Sequence, residues 1–161
     1  MIFFTSDTHF FHDNIIKYCN RPYANSLEMN EALVRNWNGV VGVEDKVYHL
    51  GDFSMGGKPR VAEALSQLNG YKILIKGNHD FSVEFMRNAG FREVYSNLVI
   101  DTEYGKIYLN HIPSPSTLWS DAEYHFCGHV HEKWKRDGNV INVGTDVWDY
   151  TPRTLKEILG C

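Results

Sequence analysis

Three short apolar runs organise the first half of the chain, and each stops at a residue able to do chemistry. IFFTS (2–6) stops at Asp7. DKVYHLGD (45–52) ends in Asp52. YKILIKGNHD (71–80) runs into Asn78, His79 and Asp80. Runs this short read as buried strands. Between them lie stretches with helical spacing. DNIIKYC (13–19) reads as a short helix capped by Asp13 and broken by NRPY. SLEMNEALVRNWNGVV (26–41) reads as a longer helix, with Asn25 at its N-cap and Glu28 three residues on. KPRVAEALSQLNG (58–70) has Pro59 near its start and Gly70 past its end, and FSVEFMRNAG (81–90) closes on Gly90. Strand alternating with helix predicts parallel strands joined by crossover helices.

The second half changes character. REVYSNLVIDTEYGKIYLNHIP (92–113) reads as strands with a turn at Tyr104-Gly105. EYHFCGHVH (123–131) and GNVINVGT (138–145) add two more strand signals, with a hairpin turn near Asp137-Gly138. Together the halves predict a single α/β domain over residues 1–161, a sandwich of two sheets. The composition agrees: 43% hydrophobic and 22% charged residues describe a folded chain, not a disordered one. A net charge of −4 without a long basic run gives no sign of a nucleic-acid partner held by basic surface. Cys19, Cys127 and Cys161 form no CxxC pair, so a disulfide framework is not expected and a reducing compartment fits. No signal peptide or membrane-spanning stretch is readable, and a cytoplasmic protein without a membrane partner is expected.

The polar residues at the strand ends form a pattern. Asp7, His9, Asp52, Asn78, His79 and Asp80 are followed later by His111 in LNHIP and by His129 and His131 in GHVH. In open α/β sheets, sites form beyond the carboxyl ends of strands, so these groups should converge. Two Asp, one Asn and four His, without a thiolate, exceed what one tetrahedral zinc takes and suit two divalent transition metals. A carboxylate such as Asp52 can bridge two such ions. If the segments are extended, D-x-H and H-x-H each aim two alternate side chains at one ion. Gly51, Gly77 and Gly128 each precede a candidate ligand, where tight turns or close approach are needed.

The ordered set SDTH, GD, GNHD, the His of LNHIP, and GHVH resembles the calcineurin-like metallophosphoesterase superfamily, and in particular its compact bacterial, archaeal and phage members. The resemblance spans residues 7 to 131. It implies a four-layer α/β/β/α sandwich with two mixed β-sheets and a dinuclear site at one edge. It implies that Asp7, His9 and His131 bind the first metal, that Asp52 bridges, and that Asn78, His111 and His129 complete the second. His79 matches the family's proton donor, and Asp80 stands where its acidic partner is found. The family commonly has Gly two places after the first His. Here that residue is Phe11, so a different loop is expected.

The activity so implied is hydrolysis of phosphate esters by a metal-activated hydroxide, with His79 protonating the leaving group. Manganese is the favoured metal, with Fe, Ni, Co and Zn as alternatives. A phosphodiester comes first as substrate: a small ester, a nucleotide or a nucleic-acid end. A phosphomonoester or nucleotide phosphatase is the alternative, and a non-catalytic metal-binding scaffold is a third reading. The oligomeric state is not legible. His12 in FFHDN, Arg21 in NRP and Asn78 are candidate substrate contacts, Arg21 through a bidentate guanidinium. Otherwise His12 caps the first helix and Arg21 is structural. His49 and His125, inside strand signals, read as structural or supporting residues, and Cys127 as a small buried apolar side chain. Trp119 lies in the polar loop 113–123, which could cover the site and shape substrate choice.

Overall fold

The computed structural model describes residues 1–160; Cys161 lies outside the described residues. The first sheet has the order β10-β1-β2-β3-β4, built from β1 (Ile2–Thr5), β2 (Lys46–His49), β3 (Tyr71–Ile75), β4 (Glu93–Tyr95) and β10 (Arg153–Thr154). β1 to β4 run parallel, and β10 joins β1 antiparallel. The second sheet has the order β5-β6-β7-β9-β8, from β5 (Asn97–Thr102), β6 (Gly105–Asn110), β7 (Tyr124–Cys127), β8 (Arg136–Asp137) and β9 (Val140–Asn142). It mixes parallel β6-β7-β9 pairing with antiparallel edges. The α/β class with two mixed sheets is therefore the observed architecture.

The apolar runs of the first sheet are continuous because both of its faces are covered. Successive side chains point to opposite faces. Phe3, Val47 and Leu74 enter a core under the helices α1 (Asp13–Tyr18), α2 (Ser26–Val40), α3 (Lys58–Ser66) and α4 (Val83–Ala89). Phe4, Tyr48, Ile73 and Ile75 enter a second core shared with Ile107, Leu109, Phe126 and Ile141 of the other sheet. β5 alternates instead: Asn97, Val99 and Asp101 are exposed, and Leu98 and Ile100 pack inward.

Local expectations hold in part. Asn25 caps α2 by accepting from the Glu28 amide. Asp13 does not cap α1. The cap position is His12, whose side chain makes no capping bond, and the Asp13 carboxylate accepts from the Ser26 amide instead. The stretch after residue 145 holds β10 and α5 (Leu155–Leu159), which no expectation covered. Its signal was the capping box of Thr154 and Glu157. No helix among the described residues is long and apolar enough to cross a membrane.

Candidate metal centre

Every candidate ligand sits just beyond the carboxyl end of a strand. Asp7 and His9 follow β1, Asp52 follows β2, Asn78 follows β3, His111 follows β6, and His129 and His131 follow β7. Parallel pairing puts the β1, β2 and β3 ends on one edge, and β6 and β7 do the same in their sheet. The loops then lace together. The Asp7 amide donates to Gly51 O (3.0 Å), His9 to Asp52 O (3.1 Å), Phe10 to Phe53 O (2.9 Å) and Gly128 to His111 O (2.9 Å).

The result is two overlapping clusters of ligand atoms. Asp7, His9, Asp52 and His131 form one, and Asp52, His111 and His129 the other; within each, the ligand atoms lie within 4.8 Å of one another. Asp52 belongs to both. Its Oδ2 is 3.7 Å from His9 Nε2 and 3.3 Å from His111 Nε2, while its Oδ1 accepts from the His79 amide at 2.9 Å. Asn78 Oδ1 lies 3.0 Å from His111 Nε2, on the side of the second cluster.

The donors fit divalent cations. Asp7 Oδ2 is held by the Ser6 hydroxyl (2.6 Å) and the His129 amide (2.9 Å). Asp7 Oδ1 is buried without a hydrogen-bond partner, 3.3 Å from His131 Nε2 and 3.7 Å from His9 Nε2. An orphaned buried acceptor costs about 1–3 kcal/mol, more when charged, and a cation would answer it. His9 Nε2 and His131 Nε2 face each other at 3.2 Å, as two lone pairs converging on one ion would. His111 Nδ1 meets Leu50 O at 2.6 Å; a carbonyl only accepts, so Nδ1 carries hydrogen and the Nε2 lone pair is the one left for a metal. With no cation present, opposite charges dominate the titration. Burial works against the charged form of Asp7, yet the nearby His131 and His9 rings and the His111 charge hold it well below the usual carboxylate range. For His111, burial is outweighed by the Asp52 hydrogen bond and the Asp7 and Asp52 charges, which push it up to about 9.

Two glycines are required by close approach. A Cβ at Gly77 would lie 2.3 Å from Asp52 Oδ1, and one at Gly128 would lie 2.3 Å from Asp7 Oδ2. Any side chain there would displace a ligand carboxylate.

The geometry departs from the extended segments assumed for D-x-H and H-x-H. Asp7 (φ 55°), His9 (φ 49°), His129 (φ 69°) and His131 (φ 47°) are all in the left-handed region, as is Asp52 (φ 55°). The ligands converge through strained loop conformations, not through strand alternation. Phe11 shares this conformation (φ 62°), so the loop keeps the backbone that glycine favours, against expectation. Its amide donates to Asn30 Oδ1 (3.0 Å) and the Arg60 guanidinium lies over its ring at 5.0 Å, which offsets the strain.

Two candidate roles, those of Asp80 and Arg21, change. Asp80 does not pair with the His79 ring. Its Oδ2 accepts from the Asp52 and Gly77 amides (2.9 and 2.8 Å) and its Oδ1 from the Phe53 amide (2.9 Å), so it clamps the GD loop to the GNHD loop. Arg21 has no donor left for a phosphate. Its buried guanidinium donates to Asp7 O, Thr8 O, Met29 Sδ and both Asp146 oxygens. It supports the Asp7–His9 loop from behind. Trp119 is buried, donates to Ser114 O at 2.9 Å and packs on His125, so it anchors its own loop.

His79 is exposed, its ring centroid 6.0 Å from that of His9. The partly buried His12 ring is 5.4 Å from His9, and its Nδ1 is buried without a partner. Cys127 is fully buried. Asn142 was not anticipated. It donates to His131 O and Trp134 O and accepts from the Gly144 amide, fixing the loop that carries His131. Asp146, which receives Arg21, was missed too. Both lie in a stretch whose sequence offers no local pattern for such pairing.

Comparison with known proteins gives a consistent result. Residues 1–153 match the model of the calcineurin-like phosphoesterase superfamily domain. An uncharacterised protein of Methanocaldococcus jannaschii is 40% identical over 169 aligned positions, covering 98% of this chain and 89% of that one. The crystal structure of a protein of unknown function from Aquifex aeolicus superimposes with a TM-score of 0.79 at 29% identity, covering 99% of this chain and 98% of the other. A structure described as a novel archaeal phosphodiesterase has a TM-score of 0.51 at 21% identity, covering 89% and 81% of the two chains, and shares the fold.

Proposed function

The chain belongs to the calcineurin-like phosphoesterase superfamily, and on that premise we propose that it is a metal-dependent hydrolase of phosphate esters with a dinuclear centre. One observation carries the reading: the Asp52 carboxylate is common to both ligand clusters, with Asp7 Oδ1 left unpartnered beside it. Asp7, His9 and His131 would hold one ion, Asn78, His111 and His129 the other, and Asp52 both. Bound divalent cations would supply an activated water and neutralise phosphate charge. Manganese is our first choice, ahead of Fe, Co, Ni and Zn.

The remaining chemistry belongs to the chain. His79 is the proton donor to the leaving oxygen. Its exposed ring stands beside the first cluster, while its own amide is tied to Asp52 Oδ1, so the donor is indexed to the shared carboxylate. His12 contacts the phosphate from beside His9 through a ring whose pKa is lowered, by burial first and then by His9. Asn78 offers its amide to the same phosphate.

The substrate we propose is a phosphodiester, a nucleotide or a nucleic-acid end among them. Asn78, His79 and His129 are exposed, which leaves the rim accessible to such a substrate. A cytoplasmic, reducing setting suits the buried free thiols of Cys19 and Cys127.

The test removes all metal and restores Mn²⁺, Ni²⁺, Zn²⁺ or Mg²⁺ singly. It then compares a nitrophenyl phosphodiester with the nitrophenyl monoester. Metal-dependent diester hydrolysis is expected. Preference for the monoester moves the reading to a phosphatase, and two bound metals without turnover on nucleotide panels would leave a binding protein.

A further inference from the structure

His49 closes β2 with no exposed surface and belongs to neither ligand cluster. Its ring stacks on Trp37 and meets Phe53 and Phe91 edge-on, at centroid distances of 6.5, 5.3 and 6.3 Å. Its two nitrogens nevertheless face polar partners. The Gly51 amide donates to Nδ1 at 3.2 Å. An amide only donates, so Nδ1 is the acceptor and the hydrogen of the neutral ring sits on Nε2. Nε2 then donates to Thr8 Oγ1 at 2.9 Å, and the Thr8 hydroxyl passes its own hydrogen to Phe53 O at 2.9 Å. Every bond in this chain therefore has one direction. Burial pushes the His49 pKa down to about 3, consistent with a neutral ring.

The chain joins two strained segments. Thr8 lies between Asp7 and His9, and Gly51 precedes Asp52; all three ligands have left-handed backbone. Such conformations cost about 1–3 kcal/mol each and persist only where the surroundings over-determine them. Arg21 restrains the Asp7–His9 loop from one side, through the Asp7 and Thr8 carbonyls. His49 adds a second restraint through the Thr8 hydroxyl and ties the loop to that of the shared carboxylate.

We infer that His49, through its Nε2–H tautomer, is a positioning residue that keeps the Asp7–His9 loop in register with Asp52, so that Thr8 and His49 together set metal affinity. The inference rests on the reading of Asp7, His9 and Asp52 as metal ligands.

The test titrates Mn²⁺ into metal-free protein by calorimetry and needs no turnover. Thr8→Val keeps the shape and removes the hydroxyl; we expect affinity to fall about 10–100-fold, the range seen when partners of metal ligands are lost. Thr8→Ser should restore it to within a few-fold. His49→Phe should match Thr8→Val, and the double variant should be no worse than His49→Phe alone, because both cut one chain. Unchanged affinity in Thr8→Val, with wild type binding Mn²⁺ normally, overturns this inference and leaves the metal centre standing. A wild type that binds no Mn²⁺ overturns both. Should His49→Phe fail to fold, ¹⁵N-histidine NMR of the wild type decides: hydrogen on Nε2 of His49 is required, and hydrogen on Nδ1 overturns the inference.

Discussion

Asp7, His9, Asp52 and His111 form a floor that is at most 2% exposed, whereas Asn78, His79 and His129 stand exposed at a rim. Floor and rim are built differently. Each floor carboxylate has one oxygen fixed by the protein and one facing the cluster centre, and the loops beneath are cross-linked by Asp80, Arg21 and His49. The rim side chains have room to meet a ligand from solvent. Holding two cations demands fixed geometry in a dry pocket, while contacting a substrate and passing a proton demands access. On the proposed reading, His79 at the rim would meet only substrate, whereas the exposed Asn78 and His129 would also complete the ligands of the second ion.

The comparison can be broken most severely at the floor. Asp52→Ala removes the ligand common to both clusters, so metal affinity should fall by more than about 100-fold, exceeding the loss of an outer partner. Metal analysis after dialysis would read it, and retention of two ions would end the shared-carboxylate reading. At the rim the outcome should be opposite in kind. His79→Ala is expected to keep its metal and lose about 10²–10⁴ in kcat, the usual range for a general acid. Full metal with an unchanged rate would remove His79 from the chemistry.

Beneath the floor, Arg21→Met strands the buried Asp146 carboxylate. Loss of one partner from a buried pair costs about 3–5 kcal/mol, measurable by urea unfolding. A loss under 1 kcal/mol would mean that the support is redundant.

The floor should also make the metal-free protein sensitive to pH in both directions. Asp7 and Asp52 have lowered values in the folded state: burial opposes this, and the nearby His131 and His9 rings for Asp7, and His111 for Asp52, prevail. Their contribution is present above the unfolded carboxylate range near 4 and is lost as pH falls through the folded values. His111 is raised to about 9, so its contribution is complete below about 6.5 and disappears as pH climbs to about 9. Buried His49, lowered to about 3, must also charge on unfolding, which costs stability as pH falls below about 6.5; metal-free protein should therefore be most stable near pH 6.5, as thermal melts across pH would show. A melting temperature that rises steadily from pH 6 to 9 would contradict the charge balance drawn for His111.

The smallest effect is expected at Phe11. Glycine there relieves about 1–2 kcal/mol of left-handed strain but loses the ring packing under Arg60 and gains chain entropy when unfolded. Phe11→Gly should stay within about 1 kcal/mol of wild type. A large loss would show that the ring, not the backbone, maintains the loop.

Much of this molecule was legible in its residues. Continuous apolar runs such as IFFT and YKILI mark strands covered on both faces, and the polar residues that end them had to meet if the strands ran parallel. The candidate ligands could be named as well, because carboxylate, amide and imidazole donors are properties of the side chains themselves. Roles that depend on direction were not legible. Asp80 and Arg21 carry the charges expected of an acid partner and a phosphate contact, yet backbone amides and carbonyls from loops distant in sequence claim them first. Asn142 and Asp146 gave no local signal at all, since their partners, His131 O and Arg21, are brought to them by the second sheet and its following turn. Composition and spacing determined which atoms were available and which strand ends would carry them. Only the tertiary structure decided which way each hydrogen bond points, because a buried donor or acceptor must be satisfied by whatever the packed chain places within about 3 Å of it.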